Sequence, residues 1–227
     1  LIRLLPEFLL MFALSLILLG LARPQKTNEK VEQWTEGIDI MIALDISQSM
    51  QIEDFAPNRL EAAKSVARNF INGRIQDRIG IVVFSGDAFS LSPLTTDYEL
   101  LKSYLNEISF DMIENRGTAI GSALAVVTNR MGESEAKSKV CILLSDGDNT
   151  AGNIDPITAA ELASAYGIKI YSIVVGKEGL VPYGKDFFGR PNMIENTVDE
   201  TTMRKIAEIG GGEFFRATDN QALSQVF

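Results

Sequence analysis

Short apolar runs alternate with segments of helical spacing along most of the chain. The runs predict buried strands, because a strand covered on both faces of a sheet is hydrophobic at nearly every position. They lie at residues 38–44, 78–84, 139–144 and 168–175. Apolar residues that recur every three to four positions predict helices. These segments lie at residues 58–71, 97–108, 119–131, 156–166 and 199–209.

Two further segments complete the predicted sheet. Residues 88–91 follow the turn Ser85-Gly86-Asp87 and are expected to return as an antiparallel edge strand, and residues 213–216 form a last strand. Because strands alternate with helices, the fold class is α/β, a doubly wound, Rossmann-like arrangement with a mainly parallel six-stranded sheet. In the common strand order 3-2-1-4-5-6, the first strand lies beside the fourth. Asn58 is expected to cap the first helix of this region.

The start of the chain has a different pattern. Residues 4–22 are almost all apolar, close to the roughly 20 residues that a bilayer span needs. We therefore predict a transmembrane helix within residues 1–23 and a polar linker at residues 24–35. A signal peptide is the main alternative, although the sequence ARPQK after the run is not a clear small-x-small cleavage site. The chain begins with Leu1 rather than Met, so it is interpreted as a fragment of a longer protein.

A long connection at residues 177–197 is rich in glycine and proline. Long loops inside compact domains are frequently functional, so we expect a hairpin insertion that contributes Phe187 and Phe188 to a partner-binding surface. Glu53 and Asp54 follow the first strand closely. They are interpreted either as solvated charges or a helix cap, or as residues that select the docking partner.

Composition restricts the chemistry. The formal net charge is −9 over 227 residues, which argues against a nucleic-acid surface because such a surface needs a basic patch. The chain has no histidine, so imidazole metal sites and a Ser-His-Asp triad are excluded. A metal would have to be held by oxygen atoms, which favours magnesium, calcium or manganese. The single cysteine, Cys141, lies in an apolar run and is interpreted as a buried small hydrophobe.

Carboxylates and hydroxyls follow the predicted strands at points that should meet. Asp45, Ser47 and Ser49 come after the first strand, Asp146 after the strand at 139–144, and Thr118 just before a helix. In doubly wound sheets, ligands bind outside the carboxyl ends of the strands. Oxygen donors are what a hard divalent cation needs, and magnesium takes six of them. The five residues therefore predict a divalent cation site, with magnesium as the first candidate and manganese or calcium as alternatives.

The pattern D-x-S-x-S at residues 45–49, with a downstream Gly-Thr and a strand-terminal Ser-Asp-Gly, resembles the metal-ion-dependent adhesion site of von Willebrand factor A (VWA) domains. All five expected residues are present. The resemblance covers the chain from about residue 38 onward. It implies that residues 36–227 form a VWA domain, with an insertion at about 177–197. It also implies binding to a partner protein whose carboxylate completes the coordination of the metal.

A finer resemblance is to the membrane-anchored bacterial Bat (aerotolerance) proteins. It rests on the apolar segment ending in LARPQ and on the motifs EDFAPNRLEAAK, PLTTDYELL, RGTAIGSAL and GGEFFRATDNQAL. It implies an inner-membrane protein whose VWA domain faces the periplasm, with a role in aerotolerance or envelope stress beside a MoxR-type AAA+ ATPase and other Bat-type proteins. The positive-inside rule, applied alone to Arg3, Arg23, Lys26 and Lys30, would instead place the domain in the cytoplasm.

Other readings of the same residues remain open. The serines and aspartates after the first strand also fit a capped turn, and Asp148 is interpreted as an exposed turn residue. A calcium loop of the EF-hand type needs a glutamate at its twelfth position, where this chain has Ile157. A metal-dependent hydrolase or phosphatase is an alternative function, but no nucleophile–base pair is evident and catalytic residues are not predicted. A VWA scaffold with a purely structural metal is the other alternative.

Overall fold

The computed structural model describes residues 5–21, 37–185, 187 and 190–218. The chain divides into two compact units, Leu1–Trp34 and Thr35–Phe227. In the first unit, helix α1 (Leu5–Leu21) has 17 residues, and its apolar side chains at positions 8–17 are exposed. The predicted linker at 24–35 lies outside the described residues.

The predicted transmembrane helix is not supported. In the part of the chain that the structure describes, no helix is both long and apolar enough to cross a membrane. Helix α1 has 17 residues, and at a rise of 1.5 Å per residue this gives about 26 Å, less than the roughly 30 Å of a hydrocarbon core.

The second unit is built on a six-stranded sheet. Its strands are β1 (Asp39–Asp45), β2 (Arg78–Phe84), β3 (Ala88–Thr95), β4 (Lys139–Ser145), β5 (Ile168–Val175) and β8 (Phe214–Ala217). Their order is β3-β2-β1-β4-β5-β8, and all neighbours are parallel except β2 and β3. The predicted α/β class, strand order and antiparallel edge are confirmed. Strand β3 extends to Thr95, beyond the predicted end at residue 91, because its later residues still pair with β2.

Among the described residues, five helices cover the sheet. They are α2 (Arg59–Asn72), α3 (Tyr98–Glu107), α4 (Ile120–Gly132), α5 (Pro156–Ala165) and α6 (Glu200–Ile209). Four of them begin at a side chain that accepts a hydrogen bond from a backbone N–H of the first turn: Asn58, Asp97, Asp155 and Asp199. Such caps satisfy donors that the helix itself leaves free. The predicted Asn58 cap is confirmed.

Neighbouring residues on a strand point to opposite faces, so the sheet separates two cores. Ile42 packs on one face with α2 and α3, whereas Met41 and Cys141 pack on the other with α4, α5 and α6. Cys141 is fully buried, and burial raises the pKa of its thiol to about 12. The prediction of a buried cysteine is confirmed. Because helices cover both faces of the sheet, ligand binding is expected at the carboxyl ends of its strands.

The connection after β5 contains a separate antiparallel pair, β6 (Gly179–Lys185) and β7 (Pro191–Asn196). A backbone hydrogen bond of 3.0 Å from Glu53 N to the Pro182 carbonyl holds this hairpin against the loop that follows β1. The hairpin therefore lies at the edge of the sheet where the predicted site is located. The helix predicted after residue 219 lies outside the described residues.

Candidate metal centre

Asp45 is the last residue of β1, and its carboxylate is fully buried. Its Oδ1 accepts a hydrogen bond from the Ser47 backbone N–H at 2.8 Å, and its Oδ2 accepts one from Ser145 Oγ at 2.6 Å. Ser145 Oγ also accepts from the Gly147 backbone N–H at 3.2 Å. Both oxygens of Asp45 are thus held, one by the loop after β1 and the other by the last residue of β4. These bonds fix the carboxylate at the carboxyl end of β1.

Two serine hydroxyls lie together in the loop that follows Asp45. Ser47 Oγ and Ser49 Oγ are 3.0 Å apart and share a hydrogen bond. Ser47 is buried, whereas Ser49 is partly exposed. Each hydroxyl oxygen has two lone pairs and only one donor, so the pair retains acceptor capacity for a cation. The alternating spacing in D-x-S-x-S has brought the two serines to the same side, as the sequence predicts.

Thr118 is held in the third loop by its backbone. Its N–H donates to Thr150 Oγ1 at 3.0 Å, and its carbonyl accepts from the N–H groups of Thr150 and Ala151 at 3.0 and 3.2 Å. The N–H of Ile120, at the start of α4, donates to Asn149 Oδ1 at 3.0 Å. The loop that carries Thr118 is therefore fastened to the segment that follows Asp146.

Asp146 has one oxygen paired and one without a partner. Its Oδ2 accepts from Arg59 Nη1 at 3.3 Å. Its Oδ1 is buried and forms no hydrogen bond within the described part of the chain. A buried acceptor without a partner costs roughly 1–3 kcal/mol and calls for an explanation. A cation bound at this oxygen would supply one.

Electrostatics at the edge also favours a cation. Burial raises the pKa of Asp45, and the nearby charge of Asp146 raises it further. Burial raises the pKa of Asp146 as well, while the nearby Ser49 hydroxyl and the charge of Arg59 oppose that rise. Two buried carboxylates that repel each other are stabilised by a positive charge placed between them. The donor set of two carboxylates and three hydroxyls fits a hard divalent ion.

Carboxylates alone do not make a site here. In residues 37–185 and the rest of the described chain, no group of three or more carboxylate, cysteine or histidine side chains is placed to hold a metal. An ion at this edge would therefore depend on the hydroxyls of Ser47, Ser49 and Thr118. Few charged ligands would leave such an ion electrophilic and ready to accept a further carboxylate.

The residues predicted for partner binding divide into two groups. Glu53 is exposed, and Phe187 is 99% exposed on the connection between β6 and β7. Phe188 lies outside the described residues. The side chain of Asp54 is only 1% exposed, because it is hydrogen-bonded to Arg59. Asp54 is therefore not a solvated charge, and its role in selecting the docking partner stays a prediction. Asp148 is exposed, as predicted.

Sequence reasoning missed Arg59, whose side chain is completely buried between Asp54 and Asp146. The signal was available. Arg59 directly follows the cap Asn58, at the N-terminus of α2, where the helix dipole disfavours a cation. An arginine at such a position needs carboxylates near it. Ser145 was also missed, although it is the residue before Asp146.

Comparison with known proteins gives a consistent family. The family model described as von Willebrand factor type A domain matches residues 39–227. An uncharacterised protein of Borreliella burgdorferi is 32% identical over 218 residues, covering 93% of this chain and 63% of the relative. The chain spans 60–68% of the length of the first curated relatives that it matches.

Solved structures of Bat-type proteins are also similar to this chain. BatB from Bacteroides thetaiotaomicron is 32% identical, with a TM-score of 0.72 over 83% of this chain and 96% of that one. An aerotolerance-related membrane protein from Bacteroides fragilis has the same identity and TM-score, over 84% and 96%. Proximal thread matrix protein 1 from the mussel byssus, described with a zinc-occupied MIDAS motif, is 20% identical, with a TM-score of 0.61 over 84% and 46%. At that identity the likeness concerns the fold.

Proposed function

Because the chain belongs to the von Willebrand factor type A domain family and resembles the Bat proteins, we propose that it is a metal-dependent protein-interaction module. The ion would be held by Asp45, Ser47, Ser49, Thr118 and Asp146. The observation that carries this proposal is the buried Asp146 Oδ1, which has no hydrogen-bond partner in the described chain. It lies at an edge that also carries a second buried carboxylate and three hydroxyls.

A partner protein would contribute a carboxylate to the open position of the ion. Asp45 is held through both oxygens by Ser47 and Ser145, which suits it to act through water rather than as a direct ligand. The serine and threonine hydroxyls are neutral, so the ion would retain much of its charge. Around this contact, Glu53, Phe187 and Phe188 are proposed to meet the partner, with the hairpin beside the site as the second point of contact.

We take magnesium as the first candidate for the ion, because the donor set contains only hard oxygen atoms. Manganese and calcium suit the same donors. The mussel byssus protein holds zinc in its MIDAS motif, so zinc belongs in the same comparison. Relative affinities for the four ions, measured on one preparation, would decide between them.

A binding role is preferred to catalysis. The chain has no histidine, and Asp45 is committed to Ser47 N and Ser145 Oγ. The only other buried carboxylate of the set, Asp146, is paired with Arg59, which makes it a weak general base for a serine nucleophile. A metal-dependent hydrolase or phosphatase remains the alternative. Turnover of a phosphate ester that is lost in Asp45→Asn would establish it. A purely structural metal is the other alternative, and partner binding that ignores metal removal would favour it.

Membrane association is suggested by the relatives, one of which is described as an aerotolerance-related membrane protein. We propose that the protein works at the bacterial inner membrane, with its VWA domain in the periplasm. Its role would be in aerotolerance or envelope stress together with other Bat-type proteins and a MoxR-type AAA+ ATPase system. A compartment-specific reporter fused after residue 218 of the natural protein is expected to be active in the periplasm. Activity only in the cytoplasm would reverse the orientation.

The main test is a calorimetric titration of the 227-residue chain, in detergent micelles, with Mg²⁺ and Mn²⁺. One-site binding is expected for the natural sequence and no binding for Asp45→Ala. Asp111→Ala is the matched control, because Asp111 is an exposed carboxylate outside the five-residue set. Equal affinity in Asp45→Ala and in the natural sequence would contradict the site.

The partner arm uses the same proteins on a solid support with a membrane extract. Retained proteins should be released by a chelator and should be absent from the Asp45→Ala support. Absence of any Bat-type protein or AAA+ ATPase from the chelator eluate would count against that part of the proposal. Retention that survives chelation would contradict a metal-bridged contact.

A further inference from the structure

Arg59 connects the candidate metal site to the β6–β7 hairpin. Its guanidinium donates to Asp54 through Nε and Nη2, each at 2.8 Å, and to Asp146 through Nη1 at 3.3 Å. The side chain is completely buried. A bidentate pair of this kind is directional and resists rearrangement. One buried positive charge is thus shared by a proposed metal ligand and by a second carboxylate.

Asp54 links Arg59 to the hairpin segment. Its Oδ2, which pairs with Arg59, also accepts the backbone N–H of Lys177 at 2.7 Å. Lys177 in turn receives Asn196 Nδ2 on its carbonyl at 2.6 Å, which joins the two ends of the hairpin segment. The carboxylate that holds Arg59 therefore binds the start of the insertion at Lys177, and Asn196 near its end is bonded to that same residue.

Gly176 makes the close approach possible. A Cβ at this position would lie 2.9 Å from Arg59 Nη2 and 3.0 Å from its Cζ. The backbone of Gly176 also has a φ of +152°, in a region that favours glycine. The hairpin thus enters directly over the guanidinium, and a shift of Arg59 would move the backbone at residues 176–177.

We propose that Arg59 is a positioning residue that couples the metal site to the hairpin, so that ion binding at Asp146 and the placement of residues 176–196 depend on each other. The proposal rests on the metal-binding function above. When Asp146 is neutralised by a bound cation, Asp54 becomes the main counter-ion of Arg59, and the Arg59–Asp54 pair tightens. The Lys177 N–H that donates to the same carboxylate is then better protected.

The coupling is reciprocal. If the bound ion raises the affinity of the hairpin for a partner by some factor, the bound partner must raise the affinity of the site for the ion by that same factor. The hairpin carries exposed apolar side chains, including Leu180 at 71% exposure and Met193 at 51%. A protein partner of matching chemistry would present a carboxylate to the ion and an apolar patch to these residues. Each contact would then strengthen the other.

The test is amide hydrogen exchange, followed by NMR on the ¹⁵N-labelled 227-residue chain in detergent micelles, without metal and at saturating Mg²⁺. Exchange at Lys177 is expected to slow by about threefold or more. The internal control is the Leu100 N–H, which donates to the Asp97 carboxylate at 3.0 Å. Asp97 follows Thr95, which pairs with Ile79 at the opposite edge of the sheet, so exchange at Leu100 should not change.

Two variants locate the coupling. Arg59→Lys keeps the charge but cannot make the forked bonds to two carboxylates, and Asp54→Asn keeps an acceptor for Lys177 without the charge. In both, calorimetry should still detect Mg²⁺, while the Mg²⁺-dependent slowing at Lys177 should disappear. Protection at Leu100 reports whether each variant is folded. If Arg59→Lys does not fold, the result for Asp54→Asn alone tests the coupling.

The possible results distinguish a failure of the coupling from a failure of the metal site. Mg²⁺ binding without any change at Lys177, or slowing that persists in a folded variant, would overturn the coupling and leave the metal site intact. Absence of Mg²⁺ binding to the natural sequence would overturn the proposed function, and the coupling with it. Slowing at Lys177 and Leu100 together would show a general stabilisation and would also overturn the specific link.

Discussion

Replacing Asp146 with asparagine is expected to lower the affinity for Mg²⁺ by about 100-fold or more. Changes to residues that only support metal ligands already cost roughly 10–100-fold, and this change removes the charge of a proposed ligand. Asparagine has nearly the same shape as aspartate, so the contact with Arg59 at 3.3 Å can be kept through its oxygen. The loss would therefore reflect chemistry at the site rather than a collapse of the edge.

Thermal unfolding provides the measurement. At Mg²⁺ concentrations of 100 times the dissociation constant, the natural chain should be stabilised by about 2.7 kcal/mol, which corresponds to about 5 °C or more for a domain of this size. The same Mg²⁺ concentration should leave the unfolding temperature of Asp146→Asn unchanged. In the presence of a chelator, the variant should be as stable as the natural chain or more so, because the repulsion between two buried carboxylates is removed.

Asp148→Asn is the matched control. Asp148 lies two residues further along the same loop, and its side chain is exposed. The pKa of Asp148 is raised by partial burial and by the charge of Asp199. Its neutralisation should change Mg²⁺ affinity by no more than about threefold through long-range charge. Equal losses in the two variants would mean that net charge at the edge, rather than coordination by Asp146, controls binding.

The fold was predictable because its signals are local and repeated. Strands β1, β2, β4 and β5 are covered on both faces, so each one reads as an apolar run. Capping residues such as Asn58 and Asp97 mark where helices begin. The edge strand β3 was less visible beyond residue 91, since an edge strand is half exposed and carries polar positions. Pairing with β2, a long-range contact, extends it to Thr95.

The candidate site was predictable only in part, for a related reason. Asp45, Ser47, Ser49, Thr118 and Asp146 lie at strand ends or beside a helix start, and a parallel sheet brings those points together. Arg59 and Asp54 depend instead on how α2 begins and on where the insertion returns. No periodic pattern encodes that meeting. The positions of the five metal-site residues could be predicted because all of them follow from the rule that ligands bind at the carboxyl ends of parallel strands. The contact between Arg59 and Asp54 could not be predicted, because it depends on the conformations of two separate loops.

Gly121→Ala is expected to destabilise the domain by about 3 kcal/mol, although alanine is normally the better helix former by up to about 1 kcal/mol. Gly121 lies in the first turn of α4, where an added Cβ would meet the Ile154 carbonyl oxygen at 2.0 Å and the Asp155 carbonyl carbon at 3.1 Å. These are backbone atoms that cannot rotate away. Overpacking of this kind typically costs about 1–3 kcal/mol, and more where the neighbours are rigid.

The matched substitution is Gly132→Ala, at the last residue of the same helix. There the new Cβ would lie 3.5 Å from the ring of Tyr166, an ordinary contact, so a gain of about 0.5–1 kcal/mol is expected. Denaturant unfolding of the two variants should give free-energy changes of opposite sign. Gly121→Ala should also weaken Mg²⁺ binding, because the clash separates the start of α4, and with it Thr118, from the segment after Asp146. A neutral Gly121→Ala would show that these two segments can move apart freely, which the hydrogen bonds of Thr118 with Thr150 argue against.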